Sequence, residues 1–273
     1  MSTKNNPKKK RALIRYFETI YRKFSKLIQL NLIYFAFILP LVCGAIYFCA
    51  LLFGLSAEAI QTFFFIHMSV WVTELIPLPI FIVLFLASLV LYGPITAGFT
   101  HCIRDIACGK HIWVSDIFKR AKSNFKQGLL FGMIDVLVFI SFVLYLSYDM
   151  SSFGFFGTVL KLCAIAITVV YICLRFYTYT IAVTFELSVK NIFKNSLIFS
   201  VLGFLGNIIA LFVSGFIMFT FVSTPKVDLV LIATLIFALC RFTSVFCTYP
   251  TIERYMLKEQ KNASAVVVKE EVE

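Results

Sequence analysis

Six stretches of the chain are almost continuously apolar: Leu30–Gly54, Ile76–Phe99, Gly128–Tyr148, Gly157–Thr184, Leu197–Val222 and Leu229–Tyr249. Each has the ~20 residues that a helix needs to cross ~30 Å of hydrocarbon. Lipid offers the backbone no hydrogen-bond partners, so runs this long and this poor in charge predict helices rather than strands. A seventh apolar stretch, Ile60–Thr73, is only 14 residues long. Its Phe63–Phe65 cluster and Trp71 suit an interfacial or re-entrant segment better than a further span.

The polar positions between the runs carry a second pattern. Residues 1–29 hold nine Lys and Arg, 100–127 hold six, 185–196 hold Lys190 and Lys194, and the segment from Pro250 holds four. The alternate connections hold only Lys226, with Lys161 just inside the fourth run. Twenty-one basic residues against two predict both termini and these connections on the cytoplasmic side of a cell membrane. The first run is longer than the ~7–15-residue core of a signal peptide and no small-residue cleavage site follows it, so it reads as an uncleaved span. The organisation expected is a basic segment over 1–26, a transmembrane domain over 27–250 and a cytoplasmic tail over 251–273.

Composition narrows the class. The 273 residues are 60% hydrophobic and 14% charged, with a mean hydropathy of +0.92. Soluble domains are about half apolar and a quarter charged, and disordered chains are poorer still in apolar residues. The fold class expected is therefore all-α: a polytopic bundle of six transmembrane helices with interfacial amphipathic helices. The net charge of +11 borders the spans. It suits anionic inner-leaflet lipids as partners and argues against nucleic acid.

Two interfacial helices are foreseen. Leu13, Ile14, Phe17, Ile20, Tyr21, Phe24, Leu27 and Ile28 recur at helical spacing among basic residues, which predicts an amphipathic helix lying on the inner leaflet and feeding the first span. In the 100–127 loop the second helix runs on to Cys108 with Gly109 as its stop. Ser115 then caps a new helix. Trp113, Ile117, Ala121 and Phe125 form a stripe at spacing four, widened by Val114 and Phe118, and Asp116 and Arg120 stand at the spacing of an i,i+4 ion pair. Trp113, Asp116, Phe118, Arg120, Phe125 and Lys126 mark either a partner-docking surface or a helix resting in the headgroups. Phe125-Lys126-Gln127-Gly128-Leu129-Leu130-Phe131 and Phe193-Lys194-Asn195-Ser196-Leu197-Ile198-Phe199 open the third and fifth runs alike. Internal duplication or the charge rule alone accounts for that echo. Pro40 and Pro94 lie inside spans, where each removes a hydrogen bond and can kink its helix.

Three ionisable residues fall inside the runs: Asp135, Arg175 and Arg241. Counted from the cytoplasmic ends, all three lie about 10–14 Å deep. A lone charge there costs at least ~2.5–3.5 kcal/mol, so such groups face the interior and pair. The expectation is an Asp135 network with Arg175, Arg241 or both. It either carries a spare positive charge to meet an anionic ligand, or is a structural pair with snorkelling arginines. Tyr177, Tyr179, Thr180, Thr243 and Ser244 are near enough in sequence to join it.

No phosphate-binding loop, zinc-protease motif or nucleophile elbow is present, no histidine pairs with an acid at metal spacing, and the eight cysteines avoid the external loops. No cofactor, metal, disulfide or enzymatic activity is expected.

Some of these segments resemble a known family. Lys26-Leu27-Ile28-Gln29-Leu30-Asn31-Leu32 before Leu39-Pro40, and Gly93-Pro94-Ile95-Thr96-Ala97-Gly98 at the end of the second run, are similar to the YesL family of bacterial membrane proteins. So are Arg104, Trp113, Asp116, Phe118 and Asn124-Phe125-Lys126-Gln127 in the following loop. Phe185-Glu186-Leu187-Ser188-Val189-Lys190 with Lys194-Asn195-Ser196 resembles that family's second cytoplasmic elbow. Where the family tends to have arginine and aspartate flanking the phenylalanine, this chain has Thr184 and Glu186. The resemblance spans residues 20–255 in outline and brings no catalytic residues. It implies, by association, an accessory role beside carbohydrate-uptake transporters. The leading expectation is thus a non-enzymatic partner of transporter subunits, binding through 100–127 and 185–196. The alternative is a small-solute carrier whose path is lined by Asp135, Arg175 and Arg241.

Overall fold

The computed structural model describes residues 12–54, 78–222 and 232–257. The Ile60–Thr73 segment, Lys226, the extreme N-terminus and the tail beyond residue 257 lie outside the described residues. Among those described, every regular element is helical. The order is α1 (Ala12–Leu52), α2 (Leu78–Ala107), α3 (Asp116–Ser123), α4 (Phe125–Ser147), α5 (Gly154–Ala182), α6 (Val189–Leu202), α7 (Phe204–Val222) and α8 (Phe237–Ile252). A 3₁₀ turn at Ser151–Phe153 precedes α5, and π turns at Ile232–Ile236 and Glu253–Leu257 flank α8.

Among the described residues five helices are long and apolar enough to cross a membrane, and a sixth crossing is counted if the bent pair α6–α7 is one span. The continuous apolar run Leu197–Val222 predicts a straight fifth span, and here the structure differs. The two helices meet at 88°, around Gly203. A Cβ on Gly203 would collide with the Tyr177 hydroxyl, which packs from α5 against the elbow. Tyr177 itself is fully buried beside Phe199. Hydropathy cannot register such a corner, because both arms are apolar.

The N-terminal amphipathic stretch is helical and feeds the first span as foreseen, the two forming one continuous 41-residue helix. The Tyr16 hydroxyl bonds Thr243 Oγ1 at 2.7 Å, and its ring meets Phe242 and Phe246 of α8. Leu13, Phe17 and Tyr21 of the same stretch stay exposed.

Helix α2 sits centrally and touches α1, α3, α4, α5 and α8. Its contact with α4 is backbone on backbone. A Cβ on Gly132 would lie 2.7 Å from both Gly93 Cα and Gly93 N, and one on Gly128 would lie 2.8 Å from Pro94 Cα. Small residues at a crossing let two helices close tightly where the lipid supplies no hydrophobic drive for association.

Burial is concentrated toward one end of the bundle, where the basic residues of α2, α3 and α4 gather. There Leu27, Leu30 and Tyr34 of α1, Phe99 and Ile103 of α2 and Phe242 of α8 form one cluster. Phe131, Tyr179, Ile181, Ile192, Phe199 and Ile252 form another. Elsewhere large apolar side chains face outward, Val83, Phe155, Ile167 and Phe212 among them. Such surface would be costly in water and is ordinary in lipid. One buried amide is spent on the backbone: Asn31 Oδ1 accepts the Ala238 N–H at 2.7 Å, just after the π turn.

Candidate functional site

The three intramembrane charges converge. Tyr171, Arg175 and Tyr179 stand at spacing four along α5, so they share one face. That face meets Asp135 of α4. The carboxylate accepts bonds from the Tyr171 hydroxyl at 2.6 Å, the Tyr179 hydroxyl at 3.2 Å and the Arg175 guanidinium. The Asp135 and Arg175 side chains are only 13% and 11% exposed. The structure therefore pairs Asp135 with Arg175.

Arg241 of α8 joins the layer without touching the carboxylate. Its Nε donates to Thr100 Oγ1 at 2.9 Å. Thr100 in turn donates to the Thr96 carbonyl at 2.7 Å, and Thr96 Oγ1 lies 3.1 Å from the Tyr34 hydroxyl. Both arginines approach the Tyr179 ring: Arg175 Cζ is 3.9 Å and Arg241 Cζ 5.6 Å from its centroid. Cation–π attraction is stronger when desolvated, which helps hold two like charges near one another. Two guanidiniums against one carboxylate leave one positive charge in excess.

That excess lines a cavity of about 570 Å³, walled by Tyr34, Tyr92, Phe99, Phe139, Phe142 and Phe237 together with the charged layer. Arg175 Nη1 and Arg241 Nη2 are buried and have no hydrogen-bond partner among the described residues. Buried polar atoms are almost always partnered, and a charged donor left without a partner costs more than a neutral one. The arrangement can receive a single negative charge on an aromatic-compatible body.

A second cluster lies at the basic end. Gly109, at φ 77°, stops α2 just after Ala107, with its N–H bonded to the Ile106 carbonyl and that of Lys110 to the Asp105 carbonyl, as its sequence position predicts. Helix α3 then docks on α2 at Gly98, where a Cβ would lie 3.2 Å from Ala121 Cβ and inside the Ile117 carbonyl. The stripe foreseen as interfacial is thereby split. Ile117 and Ala121 are buried, whereas Trp113, Phe118 and Phe125 remain 67%, 45% and 39% exposed.

Two expectations at this helix are corrected. Ser115 occupies the N-cap but its side chain makes no capping bond. Asp116 does not pair with Arg120; its Oδ2 accepts the Trp113 N–H at 2.9 Å, closing the turn before α3. Arg120 and Lys126 line a cleft instead. The Tyr177, Thr180, Thr243 and Ser244 side chains are also not ligands of Asp135. Thr180 and Ser244 bond back to the Phe176 and Arg241 carbonyls of their own helices, and Thr243 to the Leu239 carbonyl and Tyr16.

Reading the sequence missed Tyr171, Thr100 and the Gly93–Gly128–Gly132 crossing. Tyr171 was visible through its spacing of four from Arg175, and the crossing through Gly128-x-x-x-Gly132. Thr100 carried no such signal.

Fold and charged layer together define a polytopic α-helical membrane protein. No family model, curated protein or solved structure matches the chain.

Proposed function

We propose that this chain is a multi-pass protein of the cell membrane, with both termini cytoplasmic, that binds and carries a small organic monoanion. The observation that carries this reading is the pair of unpartnered arginine donors, Arg175 Nη1 and Arg241 Nη2, beside a cavity of about 570 Å³. The ion pair with Asp135 cancels one of the two charges. A ligand of charge −1 neutralises the remainder, and its apolar body meets the tyrosine and phenylalanine walls. The chemistry asked of the protein is binding and release, so the reading is non-enzymatic and needs no cofactor. The orientation rests on the 21-to-2 basic asymmetry.

The test is uptake into proteoliposomes. Benzenesulfonate is a suitable probe because it stays charged and crosses lipid poorly. Wild-type vesicles are expected to exchange labelled benzenesulfonate or hexanesulfonate against unlabelled anion at least tenfold faster than protein-free vesicles. Arg241→Gln is expected to abolish that gain. Exchange no faster than in empty vesicles for every monoanion contradicts the carrier.

A second reading is favoured by a different observation: Trp113 and Phe118 are exposed on the same loop and helix that supply Arg120 and Lys122 to a basic cleft. Together with the YesL-like segments, these suit an accessory subunit of a bacterial carbohydrate-uptake system. Co-purification in mild detergent separates the two. Stoichiometric recovery of transporter subunits, lost in a Trp113→Ser/Phe118→Ser variant, supports the accessory role.

A further inference from the structure

The cleft at the basic end has a built floor and an unneutralised rim. Its floor is fixed by Arg104, which is only 7% exposed. Arg104 Nε and Nη2 reach Asp105 Oδ1 at 3.1 and 2.7 Å, and Nη2 also meets His101 Nε2 at 3.1 Å. Its Nη1 donates to the Val183 carbonyl at 2.8 Å and to Thr184 Oγ1 at 2.9 Å. Five contacts occupy a group with five N–H bonds, so Arg104 is a clamp and offers nothing to a ligand. It ties α2 to the turn between α5 and α6. Gln127 Nε2 ties the start of α4 to the same turn, donating to the Leu187 carbonyl at 2.9 Å.

Between these clamps lies a space of about 1020 Å³, edged by Arg120, Lys122 and Lys126. Among the described residues none of the three forms an ion pair. The carboxylate facing them is Glu186. Three cations against one carboxylate leave an excess of two positive charges. The space is at the upper end of what ligand pockets span, roughly 300–1,000 Å³, and is far larger than a bare anion needs. Ser123, Asn124 and Thr184 add hydroxyl and amide groups to its wall.

We propose that this cleft binds a phosphomonoester carried on a polar, hydroxyl-bearing body. A phosphomonoester carries about −1.5 to −2 charges at neutral pH, which matches the excess. Arginine supplies a planar fork for its oxygens and the two lysines supply point charges. Glu186 is left to accept a hydroxyl hydrogen bond from the body. The inference is independent of the carrier reading, because it uses none of the intramembrane residues. The phosphate comes either from a lipid headgroup at the membrane surface or from a soluble metabolite.

The experiment uses the full chain in phosphatidylcholine nanodiscs and titrates glucose 6-phosphate, with glucose as the neutral control. In a parallel arm the discs contain phosphatidylinositol 4-phosphate, with phosphatidylinositol as the control. Thermal midpoint and calorimetric binding are read in low and high salt. A soluble ligand predicts saturable one-to-one binding of glucose 6-phosphate, weakened by salt and absent with glucose. A lipid ligand predicts a raised midpoint in phosphatidylinositol 4-phosphate discs and no response to glucose 6-phosphate. In either case Arg120→Gln/Lys122→Gln/Lys126→Gln is expected to cut the response at least tenfold, and Arg241→Gln to leave it intact. The three positions are exposed, so the triple variant should melt like wild type without ligand. Absence of a saturable response in both arms overturns the proposal. So does a triple variant that responds as strongly as wild type.

Discussion

Replacing Arg175 by methionine is expected to destabilise the purified protein by about 3 kcal/mol or more, while adding Asp135→Asn to it restores much of the loss. Asp135 is 13% exposed and bonded to Arg175, Tyr171 and Tyr179. Removing the guanidinium strands a carboxylate among Phe, Tyr and Val side chains, and breaking a buried pair from one side costs about 3–5 kcal/mol. Methionine fills part of the vacated volume, so the loss reports charge more than cavity. The double variant removes the stranded charge, and two tyrosine hydroxyls can still bond the asparagine. Thermal and denaturant unfolding of the two single variants and the double variant in one detergent closes the cycle. Strictly additive losses would mean that the two groups do not interact, contrary to the geometry.

Gly132→Leu is expected to abolish the folded monomer. The first atom of the new side chain would already sit 2.7 Å from the Gly93 backbone, and neither helix can yield without separating α2 from α4. That contact supports Phe131 and, one turn further on, Asp135, so the charged layer is lost with it. The expected record is aggregation on size-exclusion chromatography in place of a monodisperse peak. Gly215→Ala is the control: beyond its own stretch of helix, no atom lies within 4 Å of a Cβ built there, and alanine is favoured over glycine in a helix by up to about 1 kcal/mol. Equal behaviour of the two variants would refute a crossing built on glycine.

What the sequence reveals, and what it conceals, follows from which forces act locally. Transfer into lipid is a property of each segment alone, so apolar runs and charged connections mark the helices and their order. Depth along a helix is likewise countable, and it brings Asp135, Arg175 and Arg241 to one layer before any contact is known. Partner choice is not local. Thr100 takes up Arg241, leaving Arg175 to Asp135, because α8 presents Arg241 toward α2. Helix α3 turns Ile117 and Ala121 inward because Gly98 leaves room for them, and nothing in residues 113–125 shows that. The 88° corner at Gly203 depends on a tyrosine 26 positions earlier. Asp116 closes its own turn with Trp113, a short-range bond that competes successfully with an exposed i,i+4 pair contributing a few tenths of a kcal/mol.

The central claim is that the layer carries one positive charge more than it neutralises, and that a monoanion completes it. Equilibrium binding of labelled benzenesulfonate to the full chain in phosphatidylcholine nanodiscs tests it most directly, with wild type, Arg241→Gln and Asp135→Asn/Arg175→Met measured together. The account predicts one saturable site in wild type. It predicts loss of that site in Arg241→Gln, and a weaker but still saturable site in the double variant, where the net charge stays at +1 but the Arg175 donor is gone. Binding that survives in Arg241→Gln at wild-type affinity would contradict it.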